Sequence, residues 1–212
     1  MRQYSLADRL IGHVDQVLKT LTPDTTPALR ANPATAHPSV ELDDASRREV
    51  AGLMRVNHSG EVCAQALYHG QALTAKLPEV RTDMERAALE EQDHLAWCED
   101  RLKELNSHIS IFNPLWYGLS FGIGAMAGIA GDRWSLGFVA ETEKQVCSHL
   151  DSHLQRVPET DTRTRAILTQ MHADEDHHRQ LALQAGGADL PPQIKHIMGL
   201  VSKVMTQASF HV

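Results

Sequence analysis

One pattern occurs twice in this chain, and it leaves few folds open. In the first half, Glu61 is followed some thirty residues later by Glu91-Gln92-Asp93-His94; in the second half, Glu143 is followed after a similar interval by Glu175-Asp176-His177-His178. Positions i and i+3 of an α-helix share a face, so Glu91 with His94, and Glu175 with His178, can each grip one ion. A lone Glu from each of two helices plus Glu-x-x-His from each of two others is the ligand arrangement of dinuclear carboxylate sites in four-helix bundles. One Glu-x-x-His alone is weak, because a chain with 13 His and abundant Glu makes such a match by chance. The joint spacing is stronger. If each half is a helical hairpin, ligands at equal height lie equally far from the turn. The midpoints fall beside Lys76-Leu77-Pro78 and Val157-Pro158-Glu159, and Pro breaks a helix interior while favouring the first turn of the next. The competing interpretation is a pair of exposed acidic helices carrying incidental histidines.

The pattern therefore predicts an all-α chain, a ferritin-like four-helix bundle with a long apolar crossover and extra N- and C-terminal helices. No run of alternating β-branched residues argues for strands. Two regions are expected: 1–42, an amphipathic helix and Pro-rich linker, and 43–212, the metal-binding domain with its C-terminal helix. Leu6, Leu10, Val14, Val17, Leu18 and Leu21 recur at helical spacing, predicting a helix over 4–20 that packs on the bundle or binds a membrane surface. From Thr22 to Pro38 prolines recur among Thr, Asn and Ala, as in a linker without its own core.

Asp43 or Asp44 caps the next helix, expected to run to Leu77. Gly60 inside it weakens the helix by about 1 kcal/mol relative to Ala, so close approach of a neighbour is expected there. His58 reads as a capped or surface histidine. The second helix spans 79–105; Glu90, about 100° from Glu91, reads as solvated. Ile109 to Gly131 carries no charge and is long enough to cross a bilayer. A single crossing, however, would put the two halves of the site on opposite sides of the membrane. The segment is therefore expected to be the bundle crossover, either buried or dipping into a membrane surface. Helix three, 133–157, presents Glu143 in preference to Glu141, with His149 as an outer partner nearly two turns on. Helix four, 159–185, carries Glu175 and His178. Asp174 with His177 is an alternative register, set aside because 175/178 matches 91/94 residue for residue. Gly186-Gly187 ends that helix. Pro191-Pro192 starts another, with Ile194, Ile197, Met198, Val201, Val204 and Met205 in one stripe.

The formal charge of −7 argues against a nucleic-acid groove, which needs a basic stripe. Cys63, Cys98 and Cys147 form no C-x-x-C, and three thiols cannot all pair, which fits a reducing compartment. Cys98 and Cys147 fall near the site but read as small buried hydrophobes rather than ligands. Met1-Arg2-Gln3-Tyr4 opens neither a signal nor a transit peptide. Hard carboxylate ligands with only two imidazoles favour iron or manganese over copper or zinc, and an apolar crossover beside such a centre suggests an apolar substrate taken from a membrane.

Arg55-Val-Asn-His-Ser-Gly-Glu61, Glu91-Gln-Asp-His94, Asn113-Pro-Leu-Trp-Tyr-Gly-Leu-Ser-Phe-Gly-Ile-Gly124, Phe138-Val-Ala-Glu-Thr-Glu143 and Asp174-Glu-Asp-His-His178 resemble the demethoxyubiquinone hydroxylases of ubiquinone biosynthesis, the bacterial members above all, over residues 40–212. The resemblance implies an O2-dependent diiron monooxygenase, a 3-demethoxyubiquinol 3-hydroxylase, acting on 2-polyprenyl-3-methyl-6-methoxy-1,4-benzoquinol. It carries the iron ligands onto Glu61, Glu91, His94, Glu143, Glu175 and His178, and a functional histidine onto His149. Leu150 stands where some members have Tyr. It further implies two Fe ions, an electron donor such as a reductase or NADH, and peripheral attachment to the cytoplasmic face of the bacterial inner membrane. A lipid-binding accessory protein and a homo-oligomer are further expectations. The rival is a ferritin- or rubrerythrin-like iron-binding or peroxide-scavenging protein, which would have no use for the apolar 109–131 segment.

Overall fold

A computed structural model describes residues 6–25 and 28–212. Seven α-helices and no strands form among them, and each helix boundary has a local cause. The carboxylate of Asp43 accepts from the backbone N–H groups of Ala45 and Ser46 and starts α2, Asp44–Thr74. Pro78 starts α3, Pro78–Glu104, at the turn expected from the ligand midpoints. α4, Asn113–Ala130, forms within the apolar crossover. α5, Asp132–Arg156, begins after Gly131, whose φ of 121° suits glycine. The side chain of Asp132 accepts from the N–H groups of Lys76 and Leu77 at 3.0 and 2.9 Å, pinning this start to the α2–α3 turn. α6, Thr162–Gln184, starts three residues later than expected, because Asp161, accepting from the Thr164 N–H, is its cap. Gly186 at φ 94° ends α6, and Pro192 opens α7, Pro192–His211.

α2 pairs with α3 and α5 with α6; the two hairpins close on each other as a four-helix bundle, with α4 lying along α2 and α7 against α2 and α5. Trp97, Leu53, Met54, Leu150, Ile167, Leu168 and Met171 fill the core at one end. At the other end, Ala64, Tyr68, Ala72, Met84, Leu136 and Val139 do so. α1, Leu6–Leu21, packs Val17 and Leu21 onto Val62, Ala66, Leu95 and Tyr117. It leaves Ile11, Val14 and Leu18 exposed. The expected first residues of this helix, Tyr4 and Ser5, lie outside the described residues, as do the side chains of Leu6 and Leu10.

α2 and α4 meet backbone to backbone. A Cβ on Gly70 would stand 2.3 Å from the carbonyl oxygen of Phe121, and one on Gly124 the same distance from that of Leu67. The close approach expected at Gly60 is thus displaced to Gly70: a Cβ at Gly60 would meet nothing within 4 Å. No helix among the described residues is long and apolar enough to cross a membrane.

His58 corrects a second expectation. It is fully buried, taking a hydrogen bond from Asn113 Nδ2 at 3.2 Å and facing Glu99 Oε1 at 3.4 Å. Ser59 donates to Asn113 Oδ1 at 2.8 Å, so this pair fastens the start of α4 to α2. His153, also buried, sits 2.9 Å from Asn57 Oδ1 through Nδ1. Burial, with His149 and Arg156 nearby, lowers its pKa to about 4. Because the unfolded imidazole titrates near 6.5, the stability contributed by the neutral ring is complete above that pH and is lost as pH falls toward 4. Thermal melts of the wild type should therefore drop on acidification through this window, by at most about 1.4 kcal/mol per pH unit for this one proton. His153→Gln should flatten that slope, and an unchanged slope would refute the assignment.

Candidate metal centre

Four helices deliver six titratable side chains to one buried point. Glu61 comes from α2, Glu91 and His94 from α3, Glu143 from α5, Glu175 and His178 from α6, and all six are buried. The Nδ1 of His94 lies 3.0 Å from Glu91 Oε2, 3.1 Å from Glu175 Oε1 and 3.5 Å from Glu61 Oε2. The Nδ1 of His178 lies 3.2 Å from Glu91 Oε1 and 3.3 Å from Glu175 Oε2. Each of these two carboxylates thus turns one oxygen toward each imidazole. Glu61 stands on the His94 side. Glu143 stands near His178 and accepts a hydrogen bond from the Tyr68 hydroxyl.

The donor set fits a pair of cations. Ligand atoms of Glu61, Glu91, His94 and Glu175 lie within 4.8 Å of one another. Glu143 Oε2 is buried without a hydrogen-bond partner, and Glu91 Oε1 and Glu175 Oε1 face only an imidazole Nδ1 that other carboxylate oxygens also approach, which is unfavourable unless positive charge fills the gap. Protons do part of that work here. Burial, with Glu175 and Glu91 close by, pushes Glu61 well above the ordinary carboxylate range, and the same causes raise Glu143. Burial opposes charging His178, but hydrogen bonds with Glu175 and Glu91 overcome it and raise the imidazole to about 12. His94 rises too, against burial, through Asp174, Glu175, Glu61 and Glu91. Glu91, despite burial, is held low by His178 and His94. Hard oxygen donors with one nitrogen on each side suit iron or manganese.

The outer partners are reciprocal. His94 Nε2 is 2.9 Å from Asp174 Oδ2 on the opposite helix, and His178 Nε2 is 2.6 Å from Glu90 Oε2. In each case the residue just before one helix's Glu holds the other helix's imidazole, fixing its orientation. Glu90, expected to be simply solvated, therefore has a structural task. Asp174, weighed with His177 as an alternative ligand register, faces the outer nitrogen of His94. Tyr68 was not among the expected site residues, although its position two helical turns beyond Glu61 places it on the same face. Cys98 packs at 3.9 Å from Met171 Sδ, and burial raises both it and Cys147, the latter to about 12. Both stay protonated thiols, as expected of small hydrophobes.

Glu61 also reaches a second feature. A cavity of about 430 Å³ opens beside it, walled by α2, α4, α5 and α7, with Leu67, Ile123, Phe138 and Val201 among its apolar lining. Gly60 and His149 lie on its wall, and burial lowers the His149 pKa, favouring a neutral imidazole.

A family model described as "Ubiquinone biosynthesis protein COQ7" matches residues 48–209. The chain belongs to the COQ7 family. Relatives named 3-demethoxyubiquinol 3-hydroxylase span its whole length. One from Acinetobacter baumannii is 62% identical over 213 residues, covering 100% of both chains, and one from Acinetobacter baylyi is 62% identical over 212 residues, again covering both completely. One from Pseudomonas putida is 56% identical over 211 residues, covering 100% of this chain and 98% of the relative. The COQ7 match begins inside α2 and ends inside α7, so it contains all six converging residues and every residue that lines the cavity.

Proposed function

We propose that this chain is a 3-demethoxyubiquinol 3-hydroxylase, a diiron monooxygenase that hydroxylates the ring of a prenylated benzoquinol in ubiquinone biosynthesis. The observation that carries the reading is the contact between two unlike spaces: a buried carboxylate–imidazole cluster with orphaned oxygens, and an apolar cavity that meets it at Glu61. Membership of the COQ7 family and the names of full-length relatives support it.

In this reading Glu91 and Glu175, each turned toward both imidazoles, would be shared by two Fe ions, with Glu61 and His94 holding one and Glu143 and His178 the other. The iron pair supplies redox chemistry toward O2. The reaction balances when one oxygen atom is inserted into the ring C–H bond and the other leaves as water, with two electrons from an external donor such as NADH and two protons. The chain's own residues do the rest. The apolar wall would exclude water and hold the ring beside Glu61. Neutral His149 on that wall can take or return a proton at a quinol hydroxyl. Tyr68 fixes Glu143, and Asp174 and Glu90 fix the two imidazoles.

Exposed Leu115, Leu119, Met126 and Ile129 on α4, and Ile197, Leu200 and Val204 on α7, flank the cavity and suit a peripheral seat on a membrane, where the substrate resides. A ferritin- or rubrerythrin-like iron protein is the second reading; the apolar cavity disfavours it.

Purified protein should hold about two irons per chain, and organic extraction with mass spectrometry should recover a polyprenyl quinone. Iron without lipid would shift the reading to storage or peroxide chemistry. Failure to bind Fe2+ on reconstitution would end the metal reading.

A further inference from the structure

The outer partners of the two imidazoles are reciprocal in position but opposite in surroundings. On the His94 side, Asp174 is itself gripped. Arg30 Nη2 lies 2.9 Å from Asp174 Oδ2, and Gln170 donates to Oδ1 at 2.9 Å. Arg30 is in turn fixed: its Nε donates to Asp93 Oδ2 at 2.6 Å, and its guanidinium lies 4.9 Å over the Trp97 ring. The backbone N–H groups of Leu29 and Arg30 donate to Asp93 Oδ1 at 2.6 and 3.2 Å. The chain then continues into a 3₁₀ turn, Pro33–Ala36, packed on α6. This segment is a strap, closed over the His94 half by a cation held between two carboxylates. It lies before the residues matched by the family model.

On the His178 side there is no such cover among the described residues. Glu90 is 43% exposed, against 17% for Asp174. A second cavity of about 330 Å³ is lined by Glu90, His178, Tyr68, Asp83 and Arg86. His178 thus reaches water through one half-exposed carboxylate, while His94 is shut behind Arg30.

We propose that the two halves of the centre exchange divalent metal with solvent at different rates: the His178 half, opening on the cavity at Glu90, is the port, and Arg30 is a positioning residue that keeps the His94 half closed. The inference rests on the dinuclear reading above. A carboxylate already neutralised by a guanidinium cannot swing away from its imidazole, and the strap's positive charge repels an incoming cation. Glu90 is held more loosely: its nearest guanidinium, the 58% exposed Arg86, comes only to 3.9 Å of Oε1, against 2.9 Å for Arg30 and Asp174, so Glu90 can turn outward and take an aquated ion inward.

The test is metal release from the full-length protein loaded anaerobically with Fe2+ and challenged with excess ferrozine. The expected trace has two phases of one ion per chain, separated by about tenfold or more, the scale on which outer partners act. His178→Gln should delete the fast phase and His94→Gln the slow one. Arg30→Ala should quicken the slow phase about tenfold while leaving the fast one unchanged, and Arg30→Lys should restore part of the difference. A single phase in the wild type overturns the inference, as does an Arg30→Ala effect equal on both phases, which would mean the strap only stabilises the bundle. Uptake of fewer than two ions per chain overturns the dinuclear reading instead.

Discussion

Replacing Glu91 with alanine empties both halves of the centre at once. Glu91, like Glu175, turns one oxygen to each imidazole, at 3.0 Å and 3.2 Å. It is also held ionised, while Glu61 and Glu143 are pushed toward protonation. Outer partners of a metal site typically contribute 10- to 100-fold in affinity, so the loss of a shared inner ligand should exceed about 100-fold for each ion. Iron per chain should fall to the background of a metal-free control, and hydroxylation with it. Glu143→Gln is the contrasting variant. The amide resembles the protonated acid that burial already favours and can keep the Tyr68 hydroxyl as a partner. The metal-free fold should therefore melt no lower than the wild type, while one of the two irons is lost. Two irons retained by Glu91→Ala would rule out the bridge.

Filling the apolar cavity from Gly60 should abolish turnover without touching the metal. A Cβ there meets nothing within 4 Å, and its neighbour in sequence is Glu61, the residue at which cavity and cluster meet. Gly60→Leu also gains helix propensity of up to about 1 kcal/mol, so the melting temperature should hold or rise. The variant should bind two irons, lose at least about tenfold in hydroxylation of a long-chain quinol, and release no quinone on extraction. Wild-type turnover in a correctly folded Gly60→Leu protein would show that the substrate takes another path.

The six converging side chains were legible because helical periodicity and hairpin symmetry fix them: Glu91 and His94 share a face, and both turns fall at a proline. What escaped the sequence depends on contacts between helices. Glu90 points about 100° from Glu91, which looked like solvent, yet the far nitrogen of His178 comes to meet it across the bundle. Asp174 was weighed only as a ligand, when its role is to hold one. Arg30 sits in a proline-rich stretch whose composition indicates a linker; nothing local in its letters discloses Asp93 and Asp174, more than sixty residues away. Gly60 and Gly70 are equivalent in propensity. Only the packing of α4 shows that Gly70 meets a backbone and Gly60 meets empty space.

The division of ligands between two hairpins also sets a timetable. Glu61, Glu91 and His94 belong to the first, Glu143, Glu175 and His178 to the second, and His178 is made some eighty residues after His94. At ordinary elongation rates that gap is roughly 4–16 seconds. During that interval the nascent chain presents half a ligand set, with Glu175 not yet available to bridge. A complete ligand set therefore exists only in the finished polypeptide, after the second hairpin has left the ribosome and docked on the first.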